Sequence, residues 1–263
     1  MKRLARFPVR AVVALVFLHL GGNVVFSGEK NTAIVPVSKL ENDFYDWNKR
    51  HDAVLKLIKE RKDTEIVFIG DSITHLFGGE PRSRIVRGAE VWKEYYGDRK
   101  ALNLGFGWDR TQNVLWRIAH GELDGISPKV AVVLIGTNNL KGTSHARQNT
   151  PKEIAEGITA VCEAIHKKCP KTHVILLAIL PRAQKEFLPM IKDINKRIAR
   201  LDKKDYITFL DLTKKFAGKN GFPKKELMHD RVHPNAAGYR VWAETMEPIL
   251  AKLLGDKKRT PGK

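Results

Sequence analysis

Three short stretches carry residue types that could do chemistry together. In EIVFIGDSITHLF, residues 65–77, an apolar run meets Gly70, Asp71 and Ser72. In GTNN, Asn138 and Asn139 follow another apolar run. In HDRVHPNAAGY, Asp230 stands three residues ahead of His233. A serine hydroxyl is a weak nucleophile until a base takes its proton. An imidazole is that base when a carboxylate fixes its tautomer. Side-chain amides and backbone N–H groups stabilise the oxyanion that the attack creates. Hydroxyl, imidazole, carboxylate and amide are therefore the parts for acyl transfer, with Ser72 the candidate nucleophile, His233 the base and Asp230 its orienting acid. Each piece alone has a plainer reading. Gly, Asp and Ser are turn residues, and Asp230 with His233 would suit a polar loop capping the last helix. HDRVH also has the spacing of a zinc-binding His pair, His229 with His233. Pro234 biases His233 away from helical geometry, and no third ligand is evident. No metal or other cofactor is expected.

For these residues to meet, the chain must bring strand ends together. Five short apolar runs are present, at 65–70, 101–106, 130–136, 173–180 and 206–212. They are continuous rather than alternating, which suits strands covered on both faces of a parallel sheet. The segment KLENDFYDWNKRHDAVLKLIKERK precedes the first run, with Phe44, Trp47, Val54, Leu55 and Ile58 at helical spacing. TQNVLWRIAHGEL, TPKEIAEGITAVCEAIHKK, KEFLPMIKDINKRIARL and NAAGYRVWAETMEPILAKLL follow the later runs as helices. Thr150 is placed to cap the second of these, with Pro151 at its first position. Strand alternating with helix predicts a three-layer α/β/α sandwich around a five-stranded parallel sheet. Ligands bind beyond the carboxyl ends of such strands. There the chain delivers Ser72, the stretch NLGFGWDRT with Asn103, Gly105, Gly107 and Trp108, and Asn138.

GDSIT, LNLGFGWDRTQNVLWRI, HGELDGISPKVAVVLIGTNN and DRVHPNAAGY stand in the order and spacing of the SGNH hydrolases, the GDSL-type esterases and lipases. Over roughly residues 40–255 the chain is most similar to the branch containing the catalytic subunits of intracellular platelet-activating-factor acetylhydrolase. The resemblance implies a flavodoxin-like sheet and a triad of Ser72, His233 and Asp230. It implies an oxyanion hole from the backbone N–H groups of Ser72 and Trp108 and the side chain of Asn138. It favours a short acyl group, above all acetyl, on a small-molecule or carbohydrate alcohol. A lysophospholipase or phospholipid acetylhydrolase activity is the alternative. A non-catalytic carbohydrate-binding relative is another, against which the intact Ser72, Asp230 and His233 argue. Two positions depart from the family. Trp108 stands where it carries a glycine, and tryptophan takes positive φ reluctantly. Asn139 stands where many relatives outside this branch carry Asp. Asp71 is expected to bond the loop backbone and hold the serine turn.

The remainder of the chain bounds the setting. With 263 residues, 43% hydrophobic and 29% charged, it fits one α/β domain with extensions. MKRLARFPVR followed by AVVALVFLHL reads as a signal peptide over residues 1–27, cut after Ser27. The apolar stretch from Ala11 to Phe26 is interrupted by His19, Gly21, Gly22 and Asn23. It falls short of the roughly 20 residues of a spanning helix. A secreted or periplasmic protein is expected, with a polar linker at 28–39, the hydrolase domain at 40–255 and a disordered basic tail at 256–263. The formal charge is +18, and the four cations of the leader account for part of it, leaving +14. That field attracts polyanions. No arginine–aromatic interleaving points to nucleic acid. Many lysines, such as Lys56, Lys59, Lys62, Lys167 and Lys168, lie on helix faces where they are simply solvated, which is the stronger reading; an anionic polysaccharide or envelope surface is the partner the field would otherwise suit. Cys162 and Cys169 lie seven residues apart in a helical segment. That is about 10 Å along a helix, beyond the roughly 7 Å a disulfide spans, so two free, buried thiols are expected.

Overall fold

The computed structural model describes residues 30–260. The signal-peptide reading of residues 1–27 lies outside them. Five parallel strands form one sheet: β1 (Ile66–Gly70), β2 (Ala101–Gly105), β3 (Val130–Leu134), β4 (His173–Leu177) and β5 (Ile207–Leu210). Each lies inside the apolar run that predicted it. Their order, β2-β1-β3-β4-β5, is the flavodoxin-like one, whose ligand crevice opens where the winding reverses, between β1 and β3. Gly70 pairs with Gly105 on one side and Leu134 on the other. Three loops therefore leave the sheet at one level.

Among the described residues there are eight α-helices: α1 (Trp47–Glu60), α2 (Ser72–His75), α3 (Ala89–Tyr96), α4 (Thr111–Ala119), α5 (Pro151–Lys168), α6 (Phe187–Ile198), α7 (Thr213–Phe216) and α8 (Ala236–Leu254). Side chains alternate across a strand. Val67 and Ile69 accordingly join the core under α1, α4, α5 and α6, while Ile66 and Phe68 join the one under α3 and α8. This is why the strands read as unbroken apolar runs. The α5 start is as predicted: Thr150 Oγ1 accepts from the Glu153 N–H at 3.3 Å and the Glu153 carboxylate accepts from the Thr150 N–H at 2.8 Å. Cys162 and Cys169 are free and buried, and burial pushes the Cys162 thiol up to about 12. Among the described residues no helix is long and apolar enough to cross a membrane.

Three expectations need correction. The first helix starts at Trp47, because the Asp46 carboxylate accepts from the N–H groups of Asn48 and Lys49 and caps it there. Phe44 consequently leaves the helical face and stands 36% exposed. The supposed linker at 28–39 is docked from Asn31 onward. Ala33 is fully buried, its carbonyl accepts from Thr111 Oγ1 at 2.7 Å, and the Val37 N–H donates to the Gln112 carbonyl at 3.2 Å. Its polar groups find partners on α4 and α5 rather than in water. The tail expected at 256–263 is also held as far as Arg259, its last three residues lying outside the described ones. Arg99 makes a bidentate pair with buried Glu247, both bonds 2.7 Å. Arg99 also donates to Asp256 at 3.0 Å, and the Arg259 N–H donates to Glu247 at 2.7 Å. The ordered unit thus runs past both limits of 40–255.

Candidate active site

At the end of β1 the chain turns sharply into α2. Asp71 caps it: Oδ1 accepts from the Ile73 N–H at 2.9 Å, the backbone role expected of it. The turn lies so close to the sheet that a Cβ on Gly70 would overlap Thr74 Oγ1 and the Leu134 carbonyl. A Cβ on Gly105 would overlap the His75 nitrogen. These glycines are packing requirements. Asp71 is fully buried, and its Oδ2 has no partner among the described residues. Burial pushes its carboxyl up to about 7, against the Ile73 N–H and the Arg182 charge.

Ser72 opens α2, and its Oγ lies 2.8 Å from His233 Nε2. His233 Nδ1 lies 2.9 Å from Asp230 Oδ2. The loop reaches this geometry through Arg231, whose φ of 61° folds the chain back. The N–H groups of Val232 and His233 then donate to Asp230 Oδ1 at 3.0 and 2.8 Å. A carboxylate at Nδ1 assigns the ring proton to that nitrogen and leaves Nε2 to accept from the serine hydroxyl. Burial holds the His233 imidazole below its usual range, with Arg87 and Arg182 acting the same way against the pull of Asp230. Burial works against the Asp230 carboxylate, but the two backbone N–H groups, the imidazole and Arg87 hold it well below the usual carboxylate range. At neutral pH the site is a neutral base beside an ionised acid.

Asn138 follows β3 in a short 3-10 turn. Its Nδ2 donates to the Asp109 carbonyl at 2.9 Å. That bond uses one N–H and orients the other. The Ser72 N–H is at the first position of a helix, where no intrahelical acceptor exists. Trp108 has a φ of 63°, the left-handed conformation that a glycine takes freely. Its neighbours impose it. The Gly107 N–H donates to His75 Nδ1 at 3.2 Å and the Gly107 carbonyl accepts from the Tyr45 hydroxyl at 3.1 Å. On the other side the Asp109 carboxylate is gripped by Trp47 Nε1 and Arg117 Nε, each at 2.8 Å. The indole remains 40% exposed. The strain, about 1–2 kcal/mol, is small beside these buried contacts. Asn139 is the second departure. Its amide donates to Gln112 Oε1 at 2.9 Å and Asn149 Oδ1 at 3.0 Å, which a carboxylate could not do.

The structure brings Ser72, Asp230 and His233 into one chain of hydrogen bonds, and puts Asn138 and Trp108 in adjoining loops joined through Asp109. His229 is exposed, and among the described residues no three His, Cys, Asp or Glu side chains gather as a metal site would need. Sequence reasoning missed Arg87, which donates to Asp230 Oδ2 at 2.7 Å. It missed Arg182, which donates to the Thr137 carbonyl at 3.1 Å and whose charge reaches His233. It missed His75, whose ring burial holds down to about 2, so that Nδ1 accepts from Gly107. It also missed Asp43, whose carboxyl burial raises and the His233 charge lowers.

A family model described as GDSL-like Lipase/Acylhydrolase matches residues 68–241, a span that contains all three residues of the bonded chain. The chain belongs to the GDSL-like lipase/acylhydrolase family. It is a hydrolase of ester bonds. The alpha1 subunit of platelet-activating factor acetylhydrolase IB from Bos taurus is 32% identical over 235 residues, covering 87% of this chain and 93% of that protein. Among solved structures, a carbohydrate esterase family 3 protein from Talaromyces cellulolyticus aligns with a TM-score of 0.55 at 18% identity, over 74% of this chain and 100% of its own. An acetyl xylan esterase aligns with a TM-score of 0.54 at 21% identity, over 71% and 99%. These two share the fold of this GDSL-like hydrolase. In it, Asn138→Ala is expected to lower kcat on p-nitrophenyl acetate by about 10²–10³, the cost of one oxyanion donor. KM should change much less. Steady-state kinetics of the purified variant check this.

Proposed function

We propose that this protein is a serine esterase for short-acyl esters, chiefly acetyl, carried on a carbohydrate alcohol. The reading rests on the hydrogen-bonded series Ser72–His233–Asp230. Ser72 Oγ attacks the ester carbonyl while His233 Nε2 takes its proton. The oxyanion is met by the N–H groups of Ser72 and Trp108 and by Asn138 Nδ2. His233 protonates the departing alcohol, and a water then attacks the acyl-enzyme with the same base. No step calls on a cofactor.

The acetyl reading is supported by the names of the acetylhydrolase subunit and of the acetyl xylan esterase that shares the fold. The carbohydrate alcohol is favoured by Trp108, whose half-exposed indole leaves the loop proposed to carry an oxyanion donor and offers a flat face for a sugar ring. The second reading, an acetylated phospholipid, is favoured by the acetylhydrolase relative alone. Export belongs to the proposal, through the leader at residues 1–27, as does attraction to anionic polysaccharide through the +14 charge. One experiment tests these together. Protein recovered from the exported fraction should begin at Gly28. It should hydrolyse p-nitrophenyl acetate at least tenfold faster than the octanoate, and release more acetate from acetylated xylan than from an acetylated glycerophospholipid. A preference for long chains, or for the phospholipid, would replace this substrate assignment.

A further inference from the structure

Arg87 is the polar contact of the site that the reaction itself does not use. Its backbone N–H donates to the Leu76 carbonyl at 2.7 Å, so it is fastened to the end of the turn that carries Ser72. The next residue, Gly88, donates to Phe77 at 3.1 Å and lies where a Cβ would overlap Tyr239 and Phe77. Tyr239 in turn donates from its hydroxyl to the Ile73 carbonyl at 2.7 Å. From this fixed base, Arg87 Nη1 reaches Asp230 Oδ2 at 2.7 Å, the same oxygen that faces His233 Nδ1. The contact joins residues 143 apart in sequence. It ties the loop of the acid to the turn of the nucleophile.

We infer that Arg87 is a positioning residue for the proposed triad, locking Asp230 onto His233 and extending the esterase's activity toward acid pH. A cation on the shared oxygen weakens the attraction of Asp230 for a protonated imidazole, and its own charge repels that proton. Both effects favour the neutral, base-competent ring. Asp230, Arg182 and Asp43 are the other charged groups acting with or on His233. Asp230, on its own loop, favours the protonated ring. Arg182, beyond β4, disfavours it without touching Asp230. Asp43, ahead of α1, is itself raised by burial and lowered by the His233 charge. Ser72 on α2 accepts or donates but carries no charge. Removing Arg87 therefore subtracts one cation and leaves the opposing one in place.

The direction is fixed by the base. His233 must be neutral to take the serine proton, so kcat/KM falls as pH drops through its pKa. In the wild type that acid limb is expected below the ordinary imidazole value of about 6.5. In Arg87→Gln it should move upward by roughly one pH unit, the size a charge within 4–6 Å exerts. Arg87→Lys, which keeps the charge, should restore most of the wild-type position. The test is kcat/KM for p-nitrophenyl acetate from pH 4 to 9, with NMR titration of the His233 ring as the second readout. A merely structural Arg87 would lower Tm and leave the limb where it was. An unmoved limb in folded Arg87→Gln, or a downward shift, overturns the assignment. Should Arg87→Gln not fold, Arg87→Met carries the same comparison. The inference rests on the proposed triad, and its failure is separable. Unchanged rates in Ser72→Ala remove the triad, whereas an essential Ser72 with an unmoved limb removes Arg87 alone.

Discussion

Ser72→Ala is expected to lower kcat on p-nitrophenyl acetate by about 10⁴–10⁶. The hydroxyl is the only nucleophile in the bonded series, and without it His233 has no proton to take. What remains is the oxyanion donors and the binding of substrate, worth a residual acceleration of about 10³–10⁴ over water. The fold should not notice the change. The Ser72 side chain is partly buried and its Oγ is bonded to His233, so one hydroxyl is lost from a site open to water. Tm should stay within about 1 °C, since surface-type substitutions move stability by roughly 0.5 kcal/mol or less. Rates equal to wild type would take the serine out of the chemistry and require another nucleophile.

Arg117→Met should produce the largest loss of stability. Arg117 lies beneath the Trp108 loop, with its side chain fully buried. It donates to Asp109 at 2.8 Å and to Glu122, whose side chain is equally buried. Its guanidinium sits over the Phe106 ring, 4.1 Å from the centroid. Burial works to neutralise it, but Glu122 and Asp109 raise its pKa, so it remains charged. Methionine would fill much of the space and leave two carboxyl groups without their cation. Breaking a buried pair in this way costs about 3–5 kcal/mol. For a domain of this size that is a fall in Tm of roughly 6–20 °C. Calorimetry measures it directly. Activity should fall as well, because the Asp109 carbonyl orients Asn138 and its carboxylate helps to fix Trp108. A Tm unchanged within 2 °C would mean that the carboxyls take up protons at little expense and that the cluster is not a structural tie. Adding Asp109→Asn and Glu122→Gln to Arg117→Met should recover part of the loss.

The strands were readable because burial on both faces leaves few polar residues to interrupt them; Asn103, inside β2, is the buried exception and donates to the Thr74 and Gly78 carbonyls. Their ends were readable for the opposite reason, since Gly70, Ser72 and Asn138 are poor choices for a buried run. The hydrogen-bonded series of Ser72, His233 and Asp230 was readable because Asp230 stands three residues ahead of His233 and all three stand among family blocks. Other features depend on contacts that no local pattern encodes. Arg87 sits in PRSRIVRG beside Arg82 and Arg84, and nothing in residue type marks which arginine reaches Asp230. The crossover helix α3 has mixed polarity in AEVWKEYY, because its aromatic residues pack in the core shared with α8, Glu90 and Lys93 face water, and Glu94 pairs with Arg240 on α8. The segment ahead of α1 looked helical through Phe44 until the cap at Asp46 is taken into account. Tryptophan at position 108 looked incompatible with a glycine's conformation. The clamps on Gly107 and Asp109 that enforce it come from Tyr45 and His75, distant in sequence, and from Arg117, two turns into the following helix.

The fastened ends set practical limits on how this molecule can be edited. A version shortened to begin at residue 40 would strip the cover from Thr111 and Gln112, the first two residues of α4, which also contact Asn139. One stopped at residue 255 would leave Arg99 and Glu247 with each other but without Asp256 and the Arg259 N–H. Tags and fusion partners should therefore leave the whole span from Lys30 to Arg259 intact.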